Sequence, residues 1–258
     1  MITIKPSSHL TGVTIQGDFD DFYDLVDSIH RMVSDYEEDD DRDFYFGIKN
    51  RLFGICYDIR HAYQGEREVV LLDNGMNEDT MKWHNLITPE KNVYYSANVL
   101  FPEAVFVAAS VPEIYGNSAC YYGKKKTTEE PCPRPCYPLS QYYRDKANLD
   151  VLFAGIWQAL GDAIGQDEAD KLLRMRKRKG EIYWDYLPQY VDRCNLELLA
   201  TDPEKRANKL KNIVKRLINK PASYMQMERE LRYWAGEYNT SVHALKEARC
   251  KYPEEIVW

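Results

Sequence analysis

Residues 57–84 hold the densest collection of reactive side chains in this 258-residue chain. The stretch opens with Tyr57-Asp58-Ile59-Arg60-His61-Ala62-Tyr63-Gln64 and closes with Asp73-Asn74-Gly75-Met76-Asn77-Glu78-Asp79-Thr80-Met81-Lys82-Trp83-His84. Asp58 and His61 are three apart, so on a helix they share one side and the carboxylate can orient or charge the imidazole. Such a pair suits general acid/base work, and Arg60 with Gln64, four apart, can hold an anion on a neighbouring side. Asp73, Asn74, Asn77 and Glu78 place oxygen ligands just after a strand, a position that often carries function in mixed folds. His84, taken with His61 and either Asp58 or Asp73, supplies the residue types of a His-and-carboxylate metal site.

Each of these groups also has a structural role open to it, and those roles lead. Asp58 and His61 can tie a helix to its neighbours, Asn74-Gly75 makes a turn, Asn77 caps a helix, and Glu78 and Asp79 complement its dipole. The spacing of a calcium loop is missing, as is the His-Glu-x-x-His of helical zinc sites. Neither Gly-x-x-x-x-Gly-Lys nor Gly-x-Ser-x-Gly occurs. Cys120, Cys132 and Cys136 can bind zinc in principle but lack a Cys-x-x-Cys knuckle, so a proline-stiffened loop with reduced or occasionally bridged thiols is expected. The cluster Arg174, Arg176, Lys177, Arg178 and Lys179, with Lys205, Arg206, Lys209, Lys211, Lys215 and Arg216 further on, is a candidate phosphate-gripping surface. Positive charge before Gly180 equally suits a helix C-terminus.

The elements that must position these groups follow from periodicity. Ile2 and Ile4, then Val13 and Ile15, alternate with polar residues and read as strands. Asp18 or Asp20 caps a helix whose stripe is Phe22, Leu25, Val26, Ile29, Met32 and Val33. The acidic run 37–43 reads as a solvated loop. A second helix is expected over 45–63, stopped at Gln64-Gly65. The unbroken run Val69-Val70-Leu71-Leu72 suggests a strand buried on both faces, and a short helix through Trp83 and Leu86 follows. Alternation over 93–100 predicts another strand, and Pro102 opens an apolar helix ending near Val111 or Tyr115. Residues 116–138 read as a loop or linker. Beyond it, helices are expected over 139–164, 167–179, 183–199, from Asp202-Pro203 onward, 225–238 and 241–250.

Composition bounds the remaining choices. At 44% hydrophobic and 29% charged the chain is globular and long enough for a sizeable core. Residues 1–100 hold 19 acids against 9 Lys or Arg, net −10, and the remainder 22 against 25, net +3. An acidic whole does not favour nucleic acid, although a local patch can still bind it. Twenty tyrosines suggest a protein with an interaction face, because the ring packs while the hydroxyl stays hydrogen-bonded. The N-terminus does not read as a signal peptide and no apolar run is long enough for a bilayer span. Six cysteines spread over the whole length are unlike a secreted disulfide framework. A cytoplasmic, non-membrane protein is expected.

The segments Leu10-Thr11-Gly12-Val13-Thr14-Ile15-Gln16-Gly17-Asp18, Cys56-Tyr57-Asp58-Ile59-Arg60-His61-Ala62-Tyr63-Gln64-Gly65 and Asp73-Asn74-Gly75-Met76-Asn77-Glu78-Asp79-Thr80-Met81-Lys82-Trp83-His84 resemble an uncharacterised bacterial family of unknown function. The resemblance implies a bacterial or mobile-element setting and supplies no activity, cofactor or catalytic residue.

The expectation is therefore an α+β fold. A small mixed sheet with helices spans 1–115, a loop spans 116–138, and an all-helical part spans 139–258 and packs on the first. The leading functional reading is a non-enzymatic binding or interaction protein, with a protein partner or as a homo-oligomer. The alternative is a hydrolase-like or metal-assisted enzyme using Asp58 and His61 with the 73–78 loop. The second alternative is nucleic-acid binding through 174–179.

Overall fold

The computed structural model describes residues 1–33, 44–119, 122–123, 137–246 and 251–258. Four strands, β1 (Thr3–Pro6), β2 (Gly12–Gly17), β3 (Glu68–Asp73) and β4 (Lys91–Leu100), form one sheet in the order β1-β2-β4-β3. The fold is α+β, and all three strand pairings are antiparallel, so the sheet is of one kind rather than mixed. Val13 lies opposite Val99 and Ile15 opposite Ala97, which puts four small apolar side chains on one face.

Nine α-helices are described: α1 (Phe19–Val33), α2 (Phe46–His61), α3 (Glu78–His84), α4 (Phe101–Ser118), α5 (Leu139–Ile164), α6 (Gln166–Arg178), α7 (Pro188–Leu199), α8 (Pro203–Asn219) and α9 (Ala222–Tyr238). The stripe expected on α1 is its buried side: Phe22, Leu25, Val26, Ile29, Met32 and Val33 are all inside. Asp18 is the residue that caps it, accepting from the Asp21 amide at 2.8 Å while Asp21 accepts from the Asp18 amide at 3.3 Å, a reciprocal box. Helix α4 is buried on nearly every side, which accounts for its apolar character all round. It runs to Ser118, past the expected end near Tyr115.

One buried cluster extends from Ile4 through the sheet and α4 to Met227 on α9, with α5 packed on β1, α1 and α4. Ion pairs tie distant parts of the chain: Arg31 with Asp145, Arg51 with Asp192, and, within residues 101–258, Glu113 with Arg176. The first two join an arginine of residues 1–100 to an acid beyond them, opposite to the net charges of the two parts. Local placement, not net charge, therefore selects them.

Three expectations are corrected. Strand β3 is not buried on both faces; it is the outer strand of the sheet, with Val69 48%, Leu71 58% and Leu72 37% exposed. A continuous apolar run reads alike whether its own chain covers it or not. Helix α7 starts at Pro188 rather than 183, because proline suits the first helical turn and pushes the residue before it to extended backbone. Over 241–250 only a 3₁₀ turn, Val242–Ala244, is described; residues 247–250 lie outside the described ones, as do the acidic run 37–43 and most of the 116–138 loop. Among the described residues no helix is long and apolar enough to cross a membrane.

Four of the tyrosines serve the core. Tyr183, Tyr186, Tyr190 and Tyr224 are fully buried and pack ring to ring, with Tyr186 and Tyr224 centroids 4.7 Å apart and Phe106 edge-on to Tyr183 at 5.3 Å. Tyr23, Tyr57, Tyr143, Tyr233, Tyr238 and Tyr252 are exposed.

Gly12 allows β2 to approach β4 and the segment at 251–258. A Cβ there would lie 2.1 Å from the Val99 carbonyl oxygen and 2.7 Å from the Trp258 ring. Gly12→Ala is expected to lose about 1–3 kcal/mol through that overlap, seen as a lower urea midpoint. Gly116→Ala, on α4 with nothing within 4 Å of its added Cβ, is the control and should gain slightly.

Candidate functional site

Helix α2 carries Asp58, Arg60 and His61, and their spacing decides what each meets. Residues two apart stand about 200° round a helix, so Asp58 and Arg60 open on opposite sides. Asp58 pairs with Arg67 at 3.3 Å, while His61 Nδ1 pairs with Glu66 at 2.5 Å and its ring lies tilted against that of Tyr57, centroids 4.1 Å apart. The two members of the expected acid/base pair are each bonded to someone else. Gly65, at φ +85°, closes a π-helical turn over Ala62–Glu66 that brings Glu66 and Arg67 back towards the helix. Gln64 is exposed on that turn.

The 73–84 segment is occupied by its own architecture. Asn74 Nδ2 donates to the Pro89 carbonyl and to Asn92 Oδ1, and its Oδ1 accepts from the Met76 amide. Asn77 caps α3 by accepting from the Thr80 amide at 2.9 Å. Asp73 lies 3.9 Å from Lys91, and Glu78 pairs with Lys82 at 3.6 Å on the exposed side of α3. His84 packs against the neighbouring Trp83 ring, 4.5 Å away. Among the described residues His61 and His84 have no partner in common. Among the described residues no three His, Cys, Asp or Glu side chains stand together as a metal site would require.

The C-terminal half of α2 lines cavities on two of its sides. Tyr57 and Arg60 face a wide cleft of about 750 Å³ with Asp27, His30 and Phe53. Burial, together with the positive charge of Arg60, holds the His30 imidazole below its ordinary value. Asp58 faces the other, a cavity of about 400 Å³ between α2, the start of β3, β4, the first turn of α4 and the segment at 251–258. Its polar lining is Asp58, Arg67, Glu68, Ser96, Asn98 and Glu103, with Trp258 as an aromatic wall. Of these only Asp58 belongs to the candidates read from the sequence. Ser96 and Asn98 were legible only as the polar phase of the β4 alternation, and Glu68 and Glu103 as flanking charges of a strand and a helix.

The basic cluster divides too. Arg176 is withdrawn from any polyanion surface: it is 6% exposed and donates to Glu113, the Ala109 carbonyl and the Gly180 carbonyl. Arg174, Arg178 and Lys179 share a shallow surface with Lys171, whereas Lys177 lines a different one. On α8, Lys205, Lys209, Lys211 and Arg216 are paired with Asp202, Glu197, Glu168 and Glu197, and Arg206 is buried on the His9 carbonyl and Thr11. Cys120, Cys132 and Cys136 lie outside the described residues. Cys56 and Cys194 are buried free thiols, and burial pushes both up to about 12, so they stay protonated and inert at neutral pH.

No curated protein and no solved structure matches the chain. A family model does match, over residues 2–258, and the chain belongs to the family described as a domain of unknown function, DUF6904.

Proposed function

We propose that this is a non-enzymatic binding protein of the bacterial cytoplasm that self-associates through the arm formed by β3, α3 and the outer end of β4. The observation that carries the reading is the apolar surface of that arm. Val69, Leu71 and Val93 are about half exposed, and Trp83 (79%), Leu86 and Ile87 (97%), on and just past α3, are exposed as well. Val69 pairs with Tyr95 and Leu71 with Val93, so these side chains continue the very face that is core at Ala97 and Val99. The face outruns the helices that cover it. Exposed apolar surface of this kind marks interaction sites.

The outer edge of β3, which no other strand pairs among the described residues, favours a second copy as the partner. An antiparallel pairing centred on Val70 sets Val69 against Leu71, and Arg67 against Asp73, in both halves of a two-fold contact. Shifting the centre by half a residue would oppose Glu68 and Asp73, two acids, which disfavours that register. Free buried thiols at Cys56 and Cys194 fit a reducing compartment.

Sedimentation across a hundredfold range of concentration tests this. Dimer is expected for the wild type and monomer for Val69→Lys/Leu71→Lys, with helical content unchanged. A wild type that stays monomeric throughout, or a double variant that dimerises as well as the wild type, overturns the proposal.

A further inference from the structure

We infer that the exposed aromatic strip on α9 is a docking site for a basic, proline-rich peptide segment, of which the chain's own Pro131-Cys132-Pro133-Arg134-Pro135 is an example. This goes beyond the self-association above and does not rest on it.

The first support is a set of rings that the core does not use. Glu230 stands three residues before Tyr233 and four before Trp234; Glu237 follows Trp234 by three and Tyr238 follows it by four. Such spacings make the five side chains neighbours on one part of the helix surface. Tyr233 meets Trp234 edge-on, with centroids 5.2 Å apart and 74° between the planes. Trp234 and Tyr238 lie nearly parallel, 5.4 Å apart and 18° between planes. Yet Tyr233 is 60% exposed, Trp234 47% and Tyr238 64%. The buried residues of α9 are Tyr224, Met227 and Ala235. The perpendicular Tyr233 and Trp234 rings form a corner, and the Tyr238 ring lengthens one wall of it. Aromatic-lined surfaces of this kind take up polyproline II segments, whose extended shape is set before binding and so costs little entropy to dock.

The second support is charge. The residues three and four to either side of Trp234 are Glu230, Leu231, Glu237 and Tyr238, so its surroundings are acidic and apolar. Glu230 accepts from Gln226 at 2.9 Å, and neither it nor Glu237 has an ion pair among the described residues. Arg232 is drawn away by Asp185 and Glu228, and Arg229, four residues before Tyr233, borders the strip on the side away from Trp234. A guanidinium arriving here can lie over an indole or phenol ring while a carboxylate accepts its hydrogen bonds. Single-stranded nucleic acid also stacks on aromatic rings, but its phosphates would meet Glu230 and Glu237.

The sequence carries the complement. Pro131, Pro133 and Pro135 alternate around Arg134, and each proline holds its own φ near about −65° and its predecessor extended. Residues 124–136 hold Lys124, Lys125, Lys126 and Arg134 against Glu129 and Glu130, a net of +2. These residues lie outside the described ones, and the argument uses only their sequence.

The experiment is fluorescence anisotropy of a labelled synthetic peptide of residues 124–136, carrying Cys132→Ser and Cys136→Ser, titrated with the full chain. The chain is used as wild type and as Pro131→Ala/Pro133→Ala/Pro135→Ala, which keeps its own segment from competing for the strip. The peptide is expected to bind the triple variant at least as tightly as the wild type. Tyr238→Ala and Glu237→Lys, made in the triple variant, should each weaken binding about tenfold. Both positions are exposed, so melting temperatures should be retained. A peptide with Arg134→Glu, and one with its three prolines replaced by alanine, should each lose a similar factor. No binding by either form of the chain, undiminished binding after Tyr238→Ala or Glu237→Lys, or equal binding of the proline-free peptide overturns the inference.

Discussion

Glu113→Ala is expected to lower stability by about 3–5 kcal/mol, the cost of breaking a buried ion pair by removing one partner. Glu113 sits on α4 with its side chain 2% exposed, and Arg176 on α6 with 7%. One carboxylate oxygen accepts from Arg176 Nη2 at 2.6 Å and from the Ile182 amide at 2.9 Å; the other accepts from the Tyr183 amide at 3.0 Å. Arg176 also reaches the Ala109 carbonyl at 2.7 Å and lies over the Tyr183 ring at 5.0 Å. Truncation would therefore strand a guanidinium and two amides inside the protein at once. The pair fixes the turn between α6 and the buried tyrosines, so its loss should also loosen Tyr183 and Tyr186. Urea unfolding of Glu113→Ala, Arg176→Met and Glu113→Leu/Arg176→Met separates the possibilities. The double variant is expected to recover much of the loss, because an apolar pair leaves no unpaired charge. Equal losses in Glu113→Ala and in the double variant would show that lost packing, not an orphaned charge, sets the cost.

Periodicity revealed the parts of this molecule that face inward within one element. The α1 stripe, the β2 and β4 alternations, the α8 start at Asp202-Pro203 and the Asn77 cap are all local patterns. Each element carries them in its own residues. The β3 run was equally visible, yet its environment was misread, because exposure depends on where the covering helices end. The candidate site was less legible for the same reason. Asp58 was noticed beside His61, three residues away on one helix. Its actual partner, Arg67, reaches it only through the π turn closed by Gly65. Ser96, Asn98 and Trp258 come to the same cavity from distant parts of the chain, and no spacing rule connects them. Arg176 shows the reverse error: within Arg174-Met175-Arg176-Lys177 it looks like one member of a basic run, while helix geometry turns it alone into the core.

Asp145→Asn is expected to cost a similar amount, about 3–5 kcal/mol near neutral pH, although it changes the side chain's shape hardly at all. Asp145 is fully buried on α5. Arg31 of α1 grips it through Nε, at 2.9 and 3.1 Å, and through Nη2 at 2.7 Å; the Tyr122 hydroxyl donates at 2.9 Å and Gln141 Nε2 at 2.8 Å. Every neighbour donates here and Arg31 can do nothing else, so an amide keeps its own N–H groups paired only if Tyr122 or Gln141 reverses its role, and it gives the guanidinium no charge to meet. Burial pushes the Asp145 carboxyl up, but the hydrogen bonds from Arg31, Gln141 and Tyr122 outweigh it and hold the group below its ordinary value of 3.8. A carboxyl whose folded value lies below its unfolded one adds stability above the unfolded value, and that addition fades as pH falls towards the folded value. The gap between wild type and Asp145→Asn should therefore be widest at pH 6–7 and narrow steadily below about pH 4 as the wild-type carboxylate takes up its proton. Urea midpoints of both proteins from pH 7 to pH 3 measure it. A gap that stays constant across that range would mean that the ionic grip of α1 on α5 contributes nothing and that the variant is damaged by geometry alone.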